Sequence, residues 1–165
     1  MAEHHLTPLD LAPSPNVFLA ALAQATSRLR VGTMVSVLPL YQPVRLVQEL
    51  CMLDNLSGGR LDIGVGRGAR SVEHDWFGID PTEARQRNEA ILKILVSAMS
   101  SGNLAYQGRF YQIGDTPLDV LPKQRPYPPI WYAGGAEFAG RNGLNFLGRT
   151  AENVARYWEL WAETR

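Results

Sequence analysis

Two adjacent histidines near the start of the chain, His4 and His5, carry side chains suited to proton transfer. An imidazole titrates near pH 6.5, at about neutral pH, so it can accept or donate a proton under ordinary conditions. The alternative interpretation is a solvated histidine pair without a chemical role. We expect no metal site, because adjacent side chains do not readily face one ion and His74 is the only other histidine.

A glycine-rich segment followed by an arginine offers a place where a phosphate could approach the main chain. Gly64, Gly66 and Ala69 match the spacing of dinucleotide-binding loops, but such loops open directly into a helix. Here the next clear helix start is at Asp80. We therefore interpret the glycines as the end of a strand, where Arg67 would supply the counter-charge for a phosphate.

The composition excludes several classes of protein. Sixteen basic residues balance sixteen acidic ones among the 165 residues, which argues against a general nucleic-acid binder. The single cysteine, Cys51, excludes an intramolecular disulfide framework. No apolar run approaches the roughly 18 residues of a membrane span, and the first residues do not resemble a signal peptide. We therefore expect a cytoplasmic protein that does not enter a membrane.

Alternating helices and strands must position these candidate residues. We predict helices over residues 16–29, 43–57, 80–101 and 154–164, and strands over residues 30–38, 60–66 and 129–133. Asp80 is the expected N-cap of the third helix. Residues 67–79 are predicted as a long loop and residues 106–111 as a small hairpin. This alternation predicts an α/β fold with parallel strands side by side in chain order.

Three parallel strands would leave both edges of a sheet unpaired. A closed barrel of this type needs eight strands and about 250 residues. We therefore expect residues 1–165 to form a single, incomplete barrel domain. Because exposed sheet edges pair with other chains, we also expect a homo-oligomer, most simply a dimer.

Several segments occur together in the order and spacing of one known family. In chain order they are Ala2-Glu3-His4-His5, Arg30-Val31-Gly32-Thr33, Leu38-Pro39-Leu40, Pro43-Val44-Arg45, Leu53-Asp54-Asn55-Leu56-Ser57-Gly58-Gly59-Arg60-Leu61, Gly64-Val65-Gly66-Arg67-Gly68 and Phe77-Gly78-Ile79-Asp80-Pro81. Over roughly residues 2–135 the chain resembles the bacterial luciferase-like flavin monooxygenases. The resemblance implies a (β/α)8 barrel, of which this chain would lack the first two and the last three strands.

The resemblance also implies roles for individual residues. His4 matches the catalytic histidine of the family. Met34 and Val35 match a non-prolyl cis peptide that lies under the flavin ring. Arg67 and Arg85 match two arginines that contact the flavin phosphate.

Two further positions match the family but lie beside a departure from its pattern. Gly134 and Gly135 match main chain that binds the flavin phosphate, but this sequence lacks the serine found there in the family.

For Arg67 and Arg85, the alternative to phosphate binding is a set of surface ion pairs with Glu73, Asp75 or Glu89.

The implied activity is a flavin-dependent monooxygenase that uses reduced flavin mononucleotide (FMN) and molecular oxygen to oxidise a small organic substrate. A flavin reductase would be the partner that supplies reduced FMN. One alternative is an oxidoreductase of the same barrel family that depends on a deazaflavin coenzyme. Another is a non-catalytic relative that binds flavin or has a purely structural role.

Overall fold

The structure is a computed structural model that describes residues 1–6 and 13–164. The helices of these residues are α1 (Pro15–Ala25), α2 (Pro43–Leu56), α3 (Ser71–Trp76), α4 (Ala84–Ser101), α5 (Ala136–Arg141) and α6 (Ala151–Glu163), with a short 3-10 turn at Leu38–Leu40. The strands are β1 (Val31–Gly32), β2 (Ser36–Val37), β3 (Leu61–Gly66), β4 (Asn103–Gln107), β5 (Gln112–Pro117), β6 (Ile130–Ala133) and β7 (Asn145–Phe146).

The main sheet is parallel throughout. Strands β1 and β2 both pair with β3, β3 pairs with β6, and β6 pairs with β7. This order confirms the three predicted parallel strands and the α/β fold. The sequence does not predict the edge strand β7, because a strand of two residues leaves no apolar run.

The first predicted strand, residues 30–38, is divided into β1 and β2. Between them, the hydroxyl of Thr33 donates a hydrogen bond of 2.6 Å to the carbonyl of Gly64 and accepts one of 3.0 Å from its amide. One side chain therefore replaces the missing ladder bonds. Glycine is required at position 64, because a Cβ there would overlap the carbonyl oxygen of Thr33.

The first residues of the chain extend the sheet at its β1 edge. The amino group of Met1 donates to the carbonyl of Gly32 at 2.9 Å, and the amide of Met34 donates to the carbonyl of Met1 at 2.7 Å. This alternation is the hydrogen-bond pattern of parallel strands. It carries the segment that follows, including His4, to the carboxyl end of the sheet.

The hydrophobic core lies between the sheet and helices α2 and α4. Leu61, Ile63 and Val65 of β3 are completely buried, as are Leu46 of α2 and Ile91 of α4. Burying each such side chain contributes about 1.5–3 kcal/mol to stability. Among residues 1–6 and 13–164, no helix is both long and apolar enough to cross a bilayer.

Arg60 connects the amino end of the sheet to α1. Its guanidinium donates to the carbonyls of Ala23, Thr26 and Leu29 at 2.8, 2.9 and 2.5 Å. It also donates to the carbonyl of Ser57 at 2.6 Å. Because these contacts cap the end of α1, the helix stops at Ala25 and does not continue to residue 29 as predicted.

A buried carboxylate holds the proline-rich connector before β6. Asp54 of α2 is fully buried and accepts hydrogen bonds from the amide and the side chain of Gln124, both at 2.8 Å. The side chain of Gln124 also donates to the carbonyl of Leu61 at 2.8 Å. The amino end of the sheet is therefore closed by polar contacts.

Two local predictions differ from the structure. Helix α4 begins at Ala84 and not at Asp80, because the Asp80 carboxylate accepts hydrogen bonds from the amide and hydroxyl of Thr82 and so stabilises a separate turn. The predicted loop at residues 67–79 contains the helix α3. The predicted hairpin is confirmed, since β4 and β5 pair in antiparallel fashion.

Candidate active site

An open cavity of about 750 Å3 lies at the carboxyl ends of the parallel strands. Its volume falls within the range of about 300–1,000 Å3 that is typical of ligand and cofactor sites. All seven residues predicted for the site line it: His4, Met34, Val35, Arg67, Arg85, Gly134 and Gly135. The fold thus brings together residues that are far apart in the sequence, while their roles remain predictions.

The two adjacent histidines have different environments. The imidazole of His4 lines the cavity and is about one third exposed. The imidazole of His5 is mostly buried, lies 3.0 Å from the carboxylate of Glu3 and makes an edge contact with the ring of Phe77. Of the two, His4 is therefore the histidine that a ligand in the cavity can reach.

Glu73 is a functional candidate that the sequence suggested only as a surface ion-pair partner. It is 1% exposed, and its Oε1 lies 3.2 Å from Nδ1 of His4 and 3.1 Å from the amide of His5. No ion pair joins it to Arg67 in the described part of the chain. Its position on a short helix without an apolar stripe left no periodic signal in the sequence.

Glu3 forms a second buried carboxylate beside the cavity. It accepts a hydrogen bond of 2.7 Å from the amide of Val37, and it interacts with Tyr41. Burial raises the pKa of Glu3 above its ordinary value, although the hydrogen bonds from Val37 and His5 oppose the shift. Burial also raises the pKa of Tyr41, and the nearby Glu3 carboxylate adds to that effect.

Met34 and Val35 form part of the cavity wall at the break between β1 and β2. The peptide bond between them is cis, in agreement with the geometry that the sequence resemblance implied. Met34 is 61% exposed. Glycine at position 66 leaves room for this wall, since a Cβ there would lie 2.9 Å from Cγ2 of Val35.

Three guanidinium groups line the cavity. Arg67 is exposed and forms no ion pair with any described residue, so the surface ion pair considered for it is absent there. Arg85 does form the alternative contact, with Nε 3.1 Å from Oε1 of Glu89, but it is 73% exposed. Arg149, the third arginine, was not singled out in the sequence because it follows the segment that carries the resemblance.

Tyr132 lines the cavity beside Gly134. Its hydroxyl accepts a hydrogen bond of 3.4 Å from the side-chain amide of Asn88, and its ring occupies the space that a Cβ at Gly134 would need. Burial raises the pKa of Tyr132, while Arg85 and Arg67 act in the opposite direction. Both arginines are therefore near enough to this side chain to influence it electrostatically.

His74 supports the loop that carries Arg67. Its Nε2 lies 2.9 Å from the carbonyl of Arg67, and the side chain is buried. A carbonyl only accepts, so Nε2 is the protonated nitrogen. Gly68, with a φ of +83°, completes the turn at a place where a side chain would be strained. Within the described residues, no cluster of His, Cys, Asp and Glu is arranged to hold a metal.

These residues fit a phosphate-bearing cofactor with a flat ring. Exposed guanidiniums and a glycine pair line the same cavity, and glycines without side chains leave space beside residue 35. Arg67 and Arg85 would hold the phosphate, since guanidinium groups form strong charge-assisted hydrogen bonds with phosphate oxygens. Met34 and Val35 would contact the ring.

Known proteins match this chain over most or all of its length. The model of the luciferase-like monooxygenase family matches residues 1–165. The chain is 45% identical to the uncharacterised protein y4wF of Sinorhizobium fredii, with 88% of this chain and 44% of that protein covered. It is 38% identical to the oxygenase component of the flavin-dependent trigonelline monooxygenase of Acinetobacter baylyi, with 87% and 41% covered. The chain thus spans less than half the length of these relatives.

Solved structures share the fold over nearly the whole chain. The monooxygenase RslO1 of Streptomyces bottropensis superimposes with a TM-score of 0.94 at 28% identity, with 99% of this chain and 54% of that chain covered. The FMN complex of the 3,6-diketocamphane monooxygenase of Pseudomonas putida has a TM-score of 0.82 at 20% identity, with 99% and 51% covered. The coenzyme F420-dependent tetrahydromethanopterin reductase of Methanopyrus kandleri has a TM-score of 0.76 at 19% identity, with 99% and 52% covered. Such neighbours place the fold among the (β/α)8 barrels.

Proposed function

The chain belongs to the luciferase-like monooxygenase family, and on that premise we propose that its cavity binds reduced FMN for the monooxygenation of a small organic substrate. Flavin-dependent monooxygenases among its relatives support an oxidoreductase of this general class. The observation that carries the proposal is the convergence of all seven predicted residues on one cavity.

Each part of the cavity has a function in this proposal. Arg67 and Arg85 bind the phosphate, and the main chain at Gly134 and Gly135 lies beside it. Met34 and Val35 support the ring from one side. His4 accepts or donates a proton at the mouth of the cavity. Bound reduced flavin supplies the electrons for oxygen activation.

The proposal includes a protein partner. The trigonelline relative is an oxygenase component, which implies a separate source of reduced flavin for that enzyme. We extend this to the present chain and propose a flavin reductase as its partner, with molecular oxygen as co-substrate and the cytoplasm as its location.

A deazaflavin coenzyme is the second candidate for the cavity. The observation that favours it is the shared fold with the F420-dependent reductase. The reaction in this case would be a hydride transfer without oxygen. The absence of the family's serine beside Gly135 alters the expected phosphate contacts and supports a third possibility, a non-catalytic relative.

Ligand titration followed by turnover separates these possibilities. The purified chain is titrated with FMN, riboflavin and the deazaflavin coenzyme, and ligand fluorescence is recorded. Oxygen uptake is then measured with NADH, FMN and a flavin reductase, and the uptake of the same mixture without the chain, in which free reduced FMN reacts with oxygen, is subtracted. We expect FMN to bind more tightly than riboflavin and the chain to raise oxygen uptake above that background. Tighter binding of the deazaflavin favours the second candidate, and FMN binding without uptake above the background indicates a non-catalytic relative.

We also propose that residues 1–165 are part of a larger barrel domain whose sheet edges pair with a second copy in the isolated chain. The sheet carries β7 at one edge and the Met1 segment at the other, and neither is covered by another strand among the described residues. Unpaired strands are association sites. Sedimentation at micromolar concentration should therefore detect a dimer, and a compact, stable monomer would contradict this part of the proposal.

A further inference from the structure

The carboxylate of Glu73 contacts both histidines through one oxygen. Its Oε1 lies 3.2 Å from Nδ1 of His4 and 3.1 Å from the amide nitrogen of His5. Glu73 lies on α3, whereas the histidines belong to the segment that extends the sheet at the β1 edge. A residue far away in the sequence therefore fixes the orientation of the catalytic candidate.

The direction of these two hydrogen bonds follows from the chemistry of the donors. The amide of His5 can only donate, so Oε1 acts as an acceptor. A proton on the same oxygen would compete with that amide for space. Both bonds are satisfied together when Oε1 accepts and Nδ1 of His4 carries the hydrogen.

We propose that Glu73 is a positioning residue that holds His4 in the Nδ1-protonated tautomer and leaves Nε2 as the nitrogen available to a ligand in the cavity. Nε2 of His4 has no hydrogen-bond partner among residues 1–6 and 13–164. The inference deepens the proposed function, since it assigns the ring nitrogen through which His4 would exchange a proton.

The neighbouring histidine shows that the assignment is specific. Glu3 binds His5 at Nε2 and also accepts from the amide of Val37, so each histidine has its own buried carboxylate. The partners contact opposite ring nitrogens, Nδ1 in His4 and Nε2 in His5. Other charged side chains line the cavity around His4: Arg67, Arg85, Glu137 and Arg149.

The tautomer can be measured directly by NMR. The chain has three histidines, so nitrogen-15 spectra of the imidazoles contain few signals, and His4 is assigned by its loss in His4→Gln. Chemical shifts of Nδ1 and Nε2 distinguish the protonated from the unprotonated nitrogen in the neutral ring. The spectra are recorded without flavin at a pH at which His4 is neutral.

Three variants test the contribution of Glu73. Glu73→Gln keeps an acceptor oxygen and should retain the Nδ1-protonated tautomer. Glu73→Leu removes the acceptor, so His4 should shift to the Nε2-protonated form that an unconstrained imidazole favours. Glu137→Gln changes an exposed carboxylate in the same cavity and should leave His4 unchanged.

A wild-type His4 with the proton on Nε2 would overturn the inference, whatever the variants show. A folded Glu73→Leu variant that keeps the Nδ1-protonated tautomer would overturn it as well. Neither result depends on flavin, so the inference fails separately from the proposed function, whose failure appears as a lack of FMN binding in the titration.

Discussion

The two ends of strand β3 carry arginines with opposite environments. At the amino end, the guanidinium of Arg60 donates to four carbonyls and the Thr26 hydroxyl. At the carboxyl end, Arg67 forms no ion pair with the described residues and faces the cavity. The same residue type therefore stabilises the fold at one end and remains available to a ligand at the other.

This contrast extends across the whole sheet. Asp54, Gln124 and Arg60 close the amino end with hydrogen bonds between side chains and main chain. At the carboxyl end, Arg85 and Arg149 are exposed around the cavity. Barrel enzymes divide stability and chemistry between the two ends in the same way. Substitutions at the two ends should therefore affect different measurements.

The largest effect is expected at the amino end. Arg60→Ala should lower the free energy of unfolding by about 3 kcal/mol, because hydrogen bonds from a charged donor contribute about 1.5–3 kcal/mol each and several carbonyls lose their partner. Urea unfolding followed by circular dichroism measures the change. Arg60→Lys keeps the charge and should recover part of the loss. An unchanged unfolding midpoint in Arg60→Ala would contradict the stabilising role of Arg60 at the amino end of β3.

At the carboxyl end, Arg67→Ala should weaken FMN binding by about ten- to a hundredfold, since a lost charge-assisted contact costs about 1.5–3 kcal/mol. Binding of riboflavin, which lacks the phosphate, should change little. Fluorescence titration measures both affinities, and Arg141→Ala, an exposed arginine outside the cavity lining, serves as the control. Equal weakening of both ligands would show that Arg67 does not contact the phosphate.

A smaller effect concerns the buried Glu3. Because its pKa is raised by burial above the ordinary value of 4.5, the protonated form is favoured in the folded state. Its contribution to stability is therefore complete below that value and is lost as the pH rises through the raised pKa. Glu3→Gln does not titrate at this position. The difference in unfolding free energy between wild type and Glu3→Gln should consequently become less favourable to wild type with increasing pH.

Urea unfolding of both proteins at several pH values between about 4 and 8 measures this difference. A difference that stays constant with pH would show that burial does not perturb Glu3. A difference of opposite slope would mean that the hydrogen bonds from Val37 and His5 outweigh burial.

The smallest effect is expected for Arg85. It is 73% exposed and already paired with Glu89, so exchanging that contact for a phosphate adds little to the free energy of binding. Arg85→Ala should weaken FMN binding by only about two- to fivefold, which corresponds to less than about 1 kcal/mol. The same titration measures it. A loss as large as that of Arg67→Ala would mean that the two arginines share the phosphate equally.

Much of the fold follows from the sequence because long elements leave clear patterns. The apolar run of β3 and the apolar face of α2, bounded by Pro43 and Gly58, correctly predict a strand and a helix. The short elements α3, α5 and β7 leave no such pattern, since tertiary contacts stabilise them. Asp80 shows the limit of a capping motif, because its side chain caps a turn and the helix begins later.

For the site, the resemblance identified residues that the structure brings to one cavity, but it did not identify the side chains that hold those residues in place. Glu73 and Tyr132 act through contacts to residues distant in sequence, which no local motif encodes. The resemblance separates His4 from His5, but it does not reveal the buried carboxylate that each histidine contacts. Long-range polar contacts are therefore the part that sequence reasoning misses.

The exchange of hydrogen bonds between Thr33 and Gly64 also limits how such a chain can diverge. Position 64 excludes any side chain on steric grounds, and position 33 requires a hydroxyl, so Ser is the substitution expected to be tolerated. The main chain that carries Met34 and Val35 into the cavity wall is therefore not open to gradual change. Phe138 and Phe146 also line the cavity, and their side chains form no hydrogen bonds, so the shape of the cavity can change more readily at these positions.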